Sequence, residues 1–138
     1  MTRRVFVDTG AFVALANAAD QYHSAAVEQL QTLRATGAAL VTSNFVLDET
    51  YTRIRRKAGH KVVIAFGEKV RASRQIRVIT IAPPIEKQAW EILKKYADQE
   101  FSFTDCTSFA LMRAKKITEA FAFDADFKIM GFALLDRV

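Results

Sequence analysis

The hydrophobic residues of this chain fall into short uninterrupted runs, separated by longer stretches in which apolar positions recur with helical spacing. Val5, Phe6 and Val7 form the first run, which is typical of a strand buried on both faces. Comparable runs predict further strands at residues 39–42, 77–81, 120–123 and 132–135, the last as an edge strand. The spaced stretches between the runs predict amphipathic helices.

The predicted helices have recognisable start and stop signals. Gly10 and the apolar residues after it start the first helix, whereas Gly37 and Gly59 end later ones. Pro83 and Pro84 start another. The helices after the first cover about residues 20–36, 44–59, 61–73, the segment that begins at Pro83, and 104–115. Strands that alternate with helices require a parallel sheet with helices on both faces, so the predicted fold class is α/β.

Length and charge narrow the possible classes of protein. The 138 residues, of which 51% are hydrophobic, fit a single domain that covers residues 1–138. A single cysteine excludes a disulfide framework and favours a reducing compartment. The net charge of +5 and the pI near 9.6 favour a polyanionic partner, with nucleic acid as the first candidate.

The N-terminus imitates a secretion signal, because basic residues precede an apolar stretch and Ala16, Asn17 and Ala18 resemble a cleavage site. Asp8 lies inside that stretch, however, and a carboxylate there opposes insertion into a membrane. No other stretch approaches the roughly 18 uninterrupted apolar residues of a membrane span. We therefore expect a cytoplasmic protein with no membrane partner.

Four acidic residues occupy positions where predicted elements begin or end. Asp8 and Asp124 each directly follow a strand, and Asp105 begins the last predicted helix. Glu49 borders the inner face of its helix. Strand ends and the helix starts that follow them share one edge of a parallel sheet, which is also where α/β sheets bind ligands. The four carboxylates can therefore meet in one site.

Carboxylates that crowd together repel one another and take up protons unless a cation joins them. The chain has no histidine or cysteine cluster suited to zinc, so Mg²⁺ or Mn²⁺ held by oxygen atoms is the expected ion. Such a site suits phosphodiester hydrolysis, and the basic surface would hold the rest of a polymeric substrate. These features predict a metal-dependent nuclease.

Each carboxylate also has an ordinary structural explanation. Asp8 and Asp124 stand at positions typical of helix caps and Asx turns. Asp105 completes an S-x-x-D capping box, and Glu49 precedes an arginine by four residues, which is the spacing of a surface ion pair. Asp126 is a fifth candidate, although it is equally well explained as a solvated turn residue.

Four motifs then match a known family. VFVDTGAF, TSNFVLDET, FSFTDCTSFALM and FAFDADF, in this order and at these spacings, resemble the PIN domain family, whose small bacterial and archaeal members include the VapC toxins. The resemblance runs from about Arg4 to Asp136. It implies a three-layer α/β/α fold with a central, mostly parallel sheet, and an endoribonuclease activity that depends on Mg²⁺ or Mn²⁺.

The resemblance also implies roles for individual residues. Asp8, Glu49, Asp105 and Asp124 match the acidic catalytic positions of the family, with the three aspartates as metal ligands. Thr9 matches a hydroxyl residue that often follows the first aspartate, and we expect it to bind substrate. Many members have a threonine two residues before the last aspartate, where this chain has Ala122. That departure leaves open whether Asp124 or Asp126 is the better ligand.

The partners that follow from these observations are RNA, a second copy of the chain and an antitoxin. Arg53 and Arg56 lie in the basic run RIRRK, where they could bind RNA phosphates, receive an acidic partner segment, or form only a solvated face. The resemblance to the toxins implies a homodimer and a separately encoded antitoxin. The tail of that antitoxin would enter the acidic pocket and offer a basic residue to the carboxylates.

Other interpretations remain beside the nuclease. A PIN-like module could bind RNA or protein without cutting. A phosphoacceptor receiver domain also places an aspartate at a strand end, but it requires an adjacent acidic pair, and VFVDTG supplies one acidic residue. We interpret Cys106 as a small buried hydrophobic residue and Trp90 as part of the core.

Overall fold

The structure is a computed structural model that describes residues 2–135, and its strands form one sheet. The strands are β1 (Arg4–Val7), β2 (Ala39–Ser43), β3 (Ile76–Ile79), β4 (Glu119–Phe121) and β5 (Ala133–Leu134). Their order is β3-β2-β1-β4-β5, and every neighbouring pair is parallel. The sheet confirms all the strands predicted from the apolar runs, including the short one at the edge.

Helices connect the strands as the alternating pattern predicts. They are α1 (Thr9–Ala16), α2 (His23–Ala35), α3 (Asn44–Ala58), α4 (His60–Ala72), α5 (Pro83–Lys95), α6 (Phe103–Lys115) and α7 (Asp126–Ile129). The start of α2 is later than predicted, because residues 17–22 form a hydrogen-bonded loop. The prediction missed α7, since four residues are too few to display a helical period.

The two faces of β1 bury different helices. Phe6 packs against Phe127 of α7, which in turn contacts Phe109 of α6. Val7, the next residue, lines a groove formed with α1, α2 and α4. Because successive side chains of a strand point to opposite faces, the sheet lies between two helical layers. This arrangement confirms the α/β/α fold.

Trp90 corrects the sequence interpretation, because 52% of its side chain is exposed. Its neighbours Ala89 and Ile92 are buried and give α5 its contact with the core. Consecutive residues of a helix point about 100° apart, so the residue after Ala89 turns towards solvent. Among residues 2–135, no helix has the length and apolarity needed to cross a membrane.

Candidate active site

Asp8 occupies the centre of the carboxyl edge of the sheet, between the ends of β2 and β4. Its backbone N–H donates to the carbonyl of Phe121 at 3.1 Å, which ties it to the end of β4. The residue is the N-cap of α1, but its side chain makes no capping hydrogen bond. Only 4% of Asp8 is exposed, and its Oδ1 has no hydrogen-bond partner among the described residues. The capping explanation therefore does not account for its carboxylate.

Asp105 has the structural role that its sequence context predicted. Its carboxylate accepts a hydrogen bond from the Ser102 backbone N–H at 3.0 Å, and its own N–H donates to the Ser102 hydroxyl at 3.0 Å. These reciprocal bonds form a capping box at the start of α6. The same bonds fix the position of a half-buried carboxylate beside Asp8.

Asp124 and Glu49 enter from two further elements. The Asp124 carboxylate accepts a hydrogen bond from the Asp126 backbone N–H at 3.0 Å, so the Asx-turn explanation is correct for this residue. Glu49 is half-buried on α3. The suggested ion pair between Glu49 and Arg53 is wrong, because the ion pairs within residues 2–135 are Arg3–Glu119 and Lys94–Glu91.

The pKa of Asp8 reports how closely the acidic residues act on one another. This pKa rises to about 8, and burial is the main cause. The negative charges of Asp105 and Asp124 contribute to the same rise, and Glu49 contributes a smaller part. A contact with the backbone N–H of Thr9 opposes the rise. The structure therefore brings all four predicted acidic residues into one electrostatic cluster, which we call the acidic cluster.

Asp126 also acts on the acidic cluster. The pKa of Asp105 rises to about 6, mainly because of burial, and the hydrogen bonds from Ser102 oppose the rise. The charges of Asp124 and Asp126 contribute to it. Burial and the charge of Asp124 raise the pKa of Asp126 itself. Asp124 and Asp126 are thus both close enough to influence the site.

Two hydroxyl groups hold the backbone around the acidic cluster. The buried Thr9 hydroxyl donates to the carbonyl of Val46 at 3.4 Å, which joins α1 to α3. The Thr42 hydroxyl donates to the carbonyl of Val7 at 3.0 Å, which joins β2 to β1 just before Asp8. These bonds connect the segment that carries Glu49 to the segment that carries Asp8.

The donor atoms at this edge are carboxylate oxygens, which are the ligands that Mg²⁺ and Mn²⁺ prefer. Within residues 2–135, no group of three or more histidine, cysteine, aspartate or glutamate side chains forms a ready-made metal site. The buried Asp8 oxygen without a partner nevertheless fits a cation, which would satisfy that atom and relieve the repulsion among the carboxylates. The chemistry of the residues present therefore suits a hard divalent ion.

Arg53 and Arg56 follow Glu49 on α3 by four and seven residues, so all three lie along one side of the helix. Arg53 is half-buried and Arg56 is exposed. Cys106, next to Asp105 in sequence, is fully buried, and burial raises the pKa of its thiol to about 11. A thiol with this pKa is a poor nucleophile, which confirms its interpretation as a buried hydrophobic residue.

Two pairs of aromatic residues near the acidic cluster were not identified as site residues from the sequence. Tyr22 stacks on Phe123, the residue before Asp124, and Phe45 of α3 packs on Phe103 of α6. All four rings are half-buried. Phe103 and Phe123 lie close to Asp105 and Asp124 in the sequence, and this proximity could have marked them as site residues. Their pairing with Phe45 and Tyr22 could not be predicted, because those residues are distant in the sequence.

Comparison with known protein families identifies the class of protein to which this fold and acidic cluster belong. Residues 5–133 match the PIN domain family, and the chain belongs to that family. The predicted similarity to VapC-type ribonucleases is also confirmed. The chain is 43% identical over 129 residues to the 23S rRNA-specific endonuclease VapC20 of two Mycobacterium tuberculosis strains, covering 93% of this chain and 95% of the relative.

Solved structures support the same assignment. The crystal structure of M. tuberculosis VapC20, described as a Sarcin-Ricin loop cleaving toxin, matches with a TM-score of 0.84 and 42% identity over 94% of this chain and 96% of that chain. VapBC2 from Rickettsia felis, bound to a DNA fragment from its promoter, matches with a TM-score of 0.73 at 13% identity, covering 98% and 99% of the two chains. FitAcB from Neisseria gonorrhoeae matches with a TM-score of 0.66 at 14% identity, covering 96% of each. These last two similarities concern the fold alone.

Proposed function

We propose that this chain is a divalent-metal-dependent endoribonuclease and the toxin of a toxin-antitoxin pair. The observation that carries the proposal is the buried Asp8 carboxylate, which has an unpartnered oxygen and three further carboxylates acting on it. Such an arrangement lowers stability and serves no packing purpose, so it is typical of a functional site. The similarity to VapC20 supports an RNA substrate.

In this proposal, Asp8, Asp105 and Asp124 hold Mg²⁺ or Mn²⁺, and Glu49 completes the site, with Asp126 close enough to take the place of Asp124. The bound ion would supply Lewis acidity, which makes a water molecule more acidic and stabilises charge on the phosphate. The capping box fixes the Asp105 carboxylate in advance, so little reorganisation is needed when the ion binds.

The remaining residues bind and orient the substrate. Arg53 and Arg56 extend along α3 from Glu49, so they are placed to contact phosphates that flank the scissile bond. Thr9 holds α3 in position through its bond to Val46. Replacing both arginines with alanine should weaken RNA binding and reduce the slope of log K against log salt by about 0.7 to 0.9 for each lost contact. An unchanged slope would exclude the arginines as phosphate ligands.

We propose large-subunit ribosomal RNA as the target, in the cytoplasm, because the relative that is 43% identical is named for cutting 23S rRNA. The experiment is cleavage of purified ribosomal RNA and transfer RNA by the protein in Mn²⁺ or Mg²⁺. An EDTA sample and the variants Asp8→Asn and Asp105→Asn test the role of the acidic cluster. Asp98→Asn removes an exposed carboxylate from the loop before α6 and is the matched control.

Cleavage of ribosomal RNA that requires the metal, Asp8 and Asp105, and that Asp98→Asn retains, is the expected result. Equal cleavage of transfer RNA would show that ribosomal RNA is not the specific target. Full activity of both cluster variants would exclude the nuclease proposal. RNA binding without cleavage by the wild-type protein in either metal would favour the alternative of a non-catalytic binding module.

A groove between one face of the sheet and the helices α1, α2 and α4 suits the antitoxin. Its volume is about 620 Å³, and apolar side chains of α1, α2 and α4 line it. Arg34, Lys61 and Lys69 stand among the lining residues, and none of the three has an ion pair within residues 2–135. This combination fits an amphipathic antitoxin helix with acidic flanks, whose adjoining tail would reach the acidic cluster.

The groove assignment can be tested with matched substitutions on α4. Ala65 is exposed and lines the groove, whereas Ala72 is exposed at the end of the same helix and does not line it. Ala65→Glu should prevent co-purification with the separately encoded antitoxin, and Ala72→Glu should not. Equal recovery of the antitoxin with both variants would exclude the groove as the antitoxin-binding site.

A homodimer is a further proposal, which light scattering of the purified protein tests directly.

A further inference from the structure

The two aromatic pairs beside the acidic cluster have no role in the nuclease proposal. The rings of Tyr22 and Phe123 are parallel, with centroids 4.6 Å apart and an interplanar angle of 2°. The rings of Phe45 and Phe103 lie 6.3 Å apart at an angle of 57°. Because all four rings are half-buried, each pair keeps part of its surface in solvent.

The pairs stand on opposite sides of Asp8. Phe123 follows β4, and Phe45 lies two residues after the end of β2. These two strands are the neighbours of β1, which ends at Asp8. Adjacent strands lie about 4.8 Å apart, so one pair adjoins the cluster from the β4 side and the other from the β2 side.

Hydrogen bonds position the backbone around Tyr22. Its backbone N–H donates to the Asp20 carboxylate at 2.8 Å, and the Nδ1 of the next residue, His23, lies 2.7 Å from the carbonyl of Ala14. These bonds hold the backbone from which the Tyr22 ring stacks on Phe123. A platform fixed in advance loses little conformational entropy when it binds.

RNA bases need such a platform when a phosphate is to enter a site lined with carboxylates. Aromatic rings attract the π-face of a base without regard to its identity, and they do not repel the phosphate as carboxylates do. In a duplex the bases stack on one another and cannot reach side chains of this kind, whereas unpaired bases can turn outwards.

We propose that the two aromatic pairs stack on the bases on either side of the scissile phosphate and so hold that phosphate at the acidic cluster. The inference rests on the proposed nuclease function and assigns substrate-binding residues to it. Tyr22 and Phe45, one from each pair, are thus base-binding residues.

A purely structural role is the competing explanation, because both pairs also pack against the core. Leucine separates the two roles, since it keeps apolar contact but has no π-face. Tyr22→Leu and Phe45→Leu are therefore the test variants. Trp90→Leu, at an exposed ring on α5, is the matched control, and Tyr22→Phe keeps the ring while removing only the hydroxyl.

The probe is a short single-stranded RNA that carries 2-aminopurine, whose fluorescence falls when the base stacks. Binding is measured with Ca²⁺ in place of Mn²⁺ to slow cleavage, and the same RNA annealed to its complement is the duplex comparison. Wild type, Trp90→Leu and Tyr22→Phe should bind the single strand and quench the probe. Tyr22→Leu and Phe45→Leu should bind about fivefold or more weakly with little quenching, while cooperative thermal unfolding shows that both variants are folded at the temperature of the binding measurement.

The outcomes distinguish this inference from the nuclease proposal. Wild-type affinity and quenching in both leucine variants, or equal quenching of the duplex, would overturn the stacking role even if the protein cuts RNA. Loss of binding in Tyr22→Phe would overturn it too, because the ring is still present. Quenching that depends on Tyr22 and Phe45 in a protein that cuts no RNA would support stacking and exclude the nuclease.

Discussion

The two edges of the sheet differ in how their charged side chains are arranged. At the amino edge, Arg3 forms two hydrogen bonds to the Glu119 carboxylate, at 2.7 and 3.0 Å, and Arg4 donates to the carbonyl of Lys115 at 2.8 Å. At the carboxyl edge, Asp8 is buried with an unpartnered oxygen among other carboxylates. Opposite charges meet at one edge and like charges at the other.

The pKa values show what this difference means for stability. The hydrogen bond from Arg3 lowers the pKa of Glu119, so folding favours the charged form. Burial and the neighbouring negative charges raise the pKa of Asp8, so folding disfavours its charged form. An arrangement that lowers stability and persists is expected where function requires it. The comparison therefore supports the proposed site at the carboxyl edge without reference to any relative.

The largest effect should be on the pH dependence of stability. The pKa of Asp8 is about 8 in the folded protein against an ordinary value of 3.8, so the unfolded chain releases this proton first as the pH rises. Stability from the protonated carboxyl is therefore complete below about pH 4 and declines towards about pH 8, by roughly 1 kcal/mol per pH unit. Urea unfolding of the wild-type protein in EDTA across this range measures the decline.

Asp8→Asn should flatten that decline and raise the free energy of unfolding near neutral pH by roughly 1 to 3 kcal/mol, since the amide carries no charge. Asp98→Asn, at an exposed position, should retain the wild-type slope. Parallel profiles for the wild type and Asp8→Asn would show that the carboxyl edge carries no such electrostatic cost.

A bound divalent metal ion should offset the loss of stability that the buried carboxylates cause at the carboxyl edge. Saturation with Mn²⁺ at about 100 times its dissociation constant should raise the free energy of unfolding by about 2.7 kcal/mol near neutral pH. The gain should disappear in Asp8→Asn, because a ligand is lost. Thermal unfolding with and without Mn²⁺ measures both. Equal stabilisation of the two proteins would place the bound metal elsewhere.

A smaller effect is expected at Ser102. Ser102→Ala removes one half of the capping box and should lower stability by about 1 kcal/mol. Because Asp105 also loses its fixed orientation, affinity for Mn²⁺ should fall about tenfold. Ser102→Thr keeps the hydroxyl and should restore both. A loss of stability without any loss of metal affinity would limit Ser102 to a helix cap.

The smallest effect is expected at the amino edge. The side chains of Arg3 and Glu119 are 41% and 31% exposed, so solvent screens their ion pair. Arg3→Ala should therefore lower the free energy of unfolding by less than about 1 kcal/mol and leave RNA cleavage unchanged. A larger loss of stability, or a loss of cleavage, would weaken the contrast between the two edges.

Much of the fold could be predicted because its signals are local. Short stretches rich in apolar residues marked all the strands within residues 2–135, and glycines and prolines marked several helix ends to within a few residues. The position of Asp8 followed in the same way, since a strand end is visible in the sequence. Trp90 was misplaced because neighbouring residues of a helix face different directions, and the boundary between core and solvent depends on what packs against α5.

The acidic residues of the candidate site could be predicted from the sequence. The contacts that these and the neighbouring residues make could be predicted only in part. The S-x-x-D pattern gave the bond between Ser102 and Asp105, but the absence of a pair between Glu49 and Arg53 depends on where α3 lies. The contact of Tyr22 with Phe123 joins residues a hundred positions apart, so it follows from the closed fold alone. Burial, which dominates the pKa of Asp8, is likewise a property of the assembled molecule.

The pairing of the first strand with a late one determines when this protein can become active. Val5 pairs with Glu119, so the strand that ends at Asp8 must wait for a partner far along the chain. During synthesis, which adds about 5 to 20 residues per second, the whole segment between these two strands is made before Asp124 can approach Asp8. A chain that is still being made therefore lacks a complete acidic cluster until Asp124 has left the ribosome.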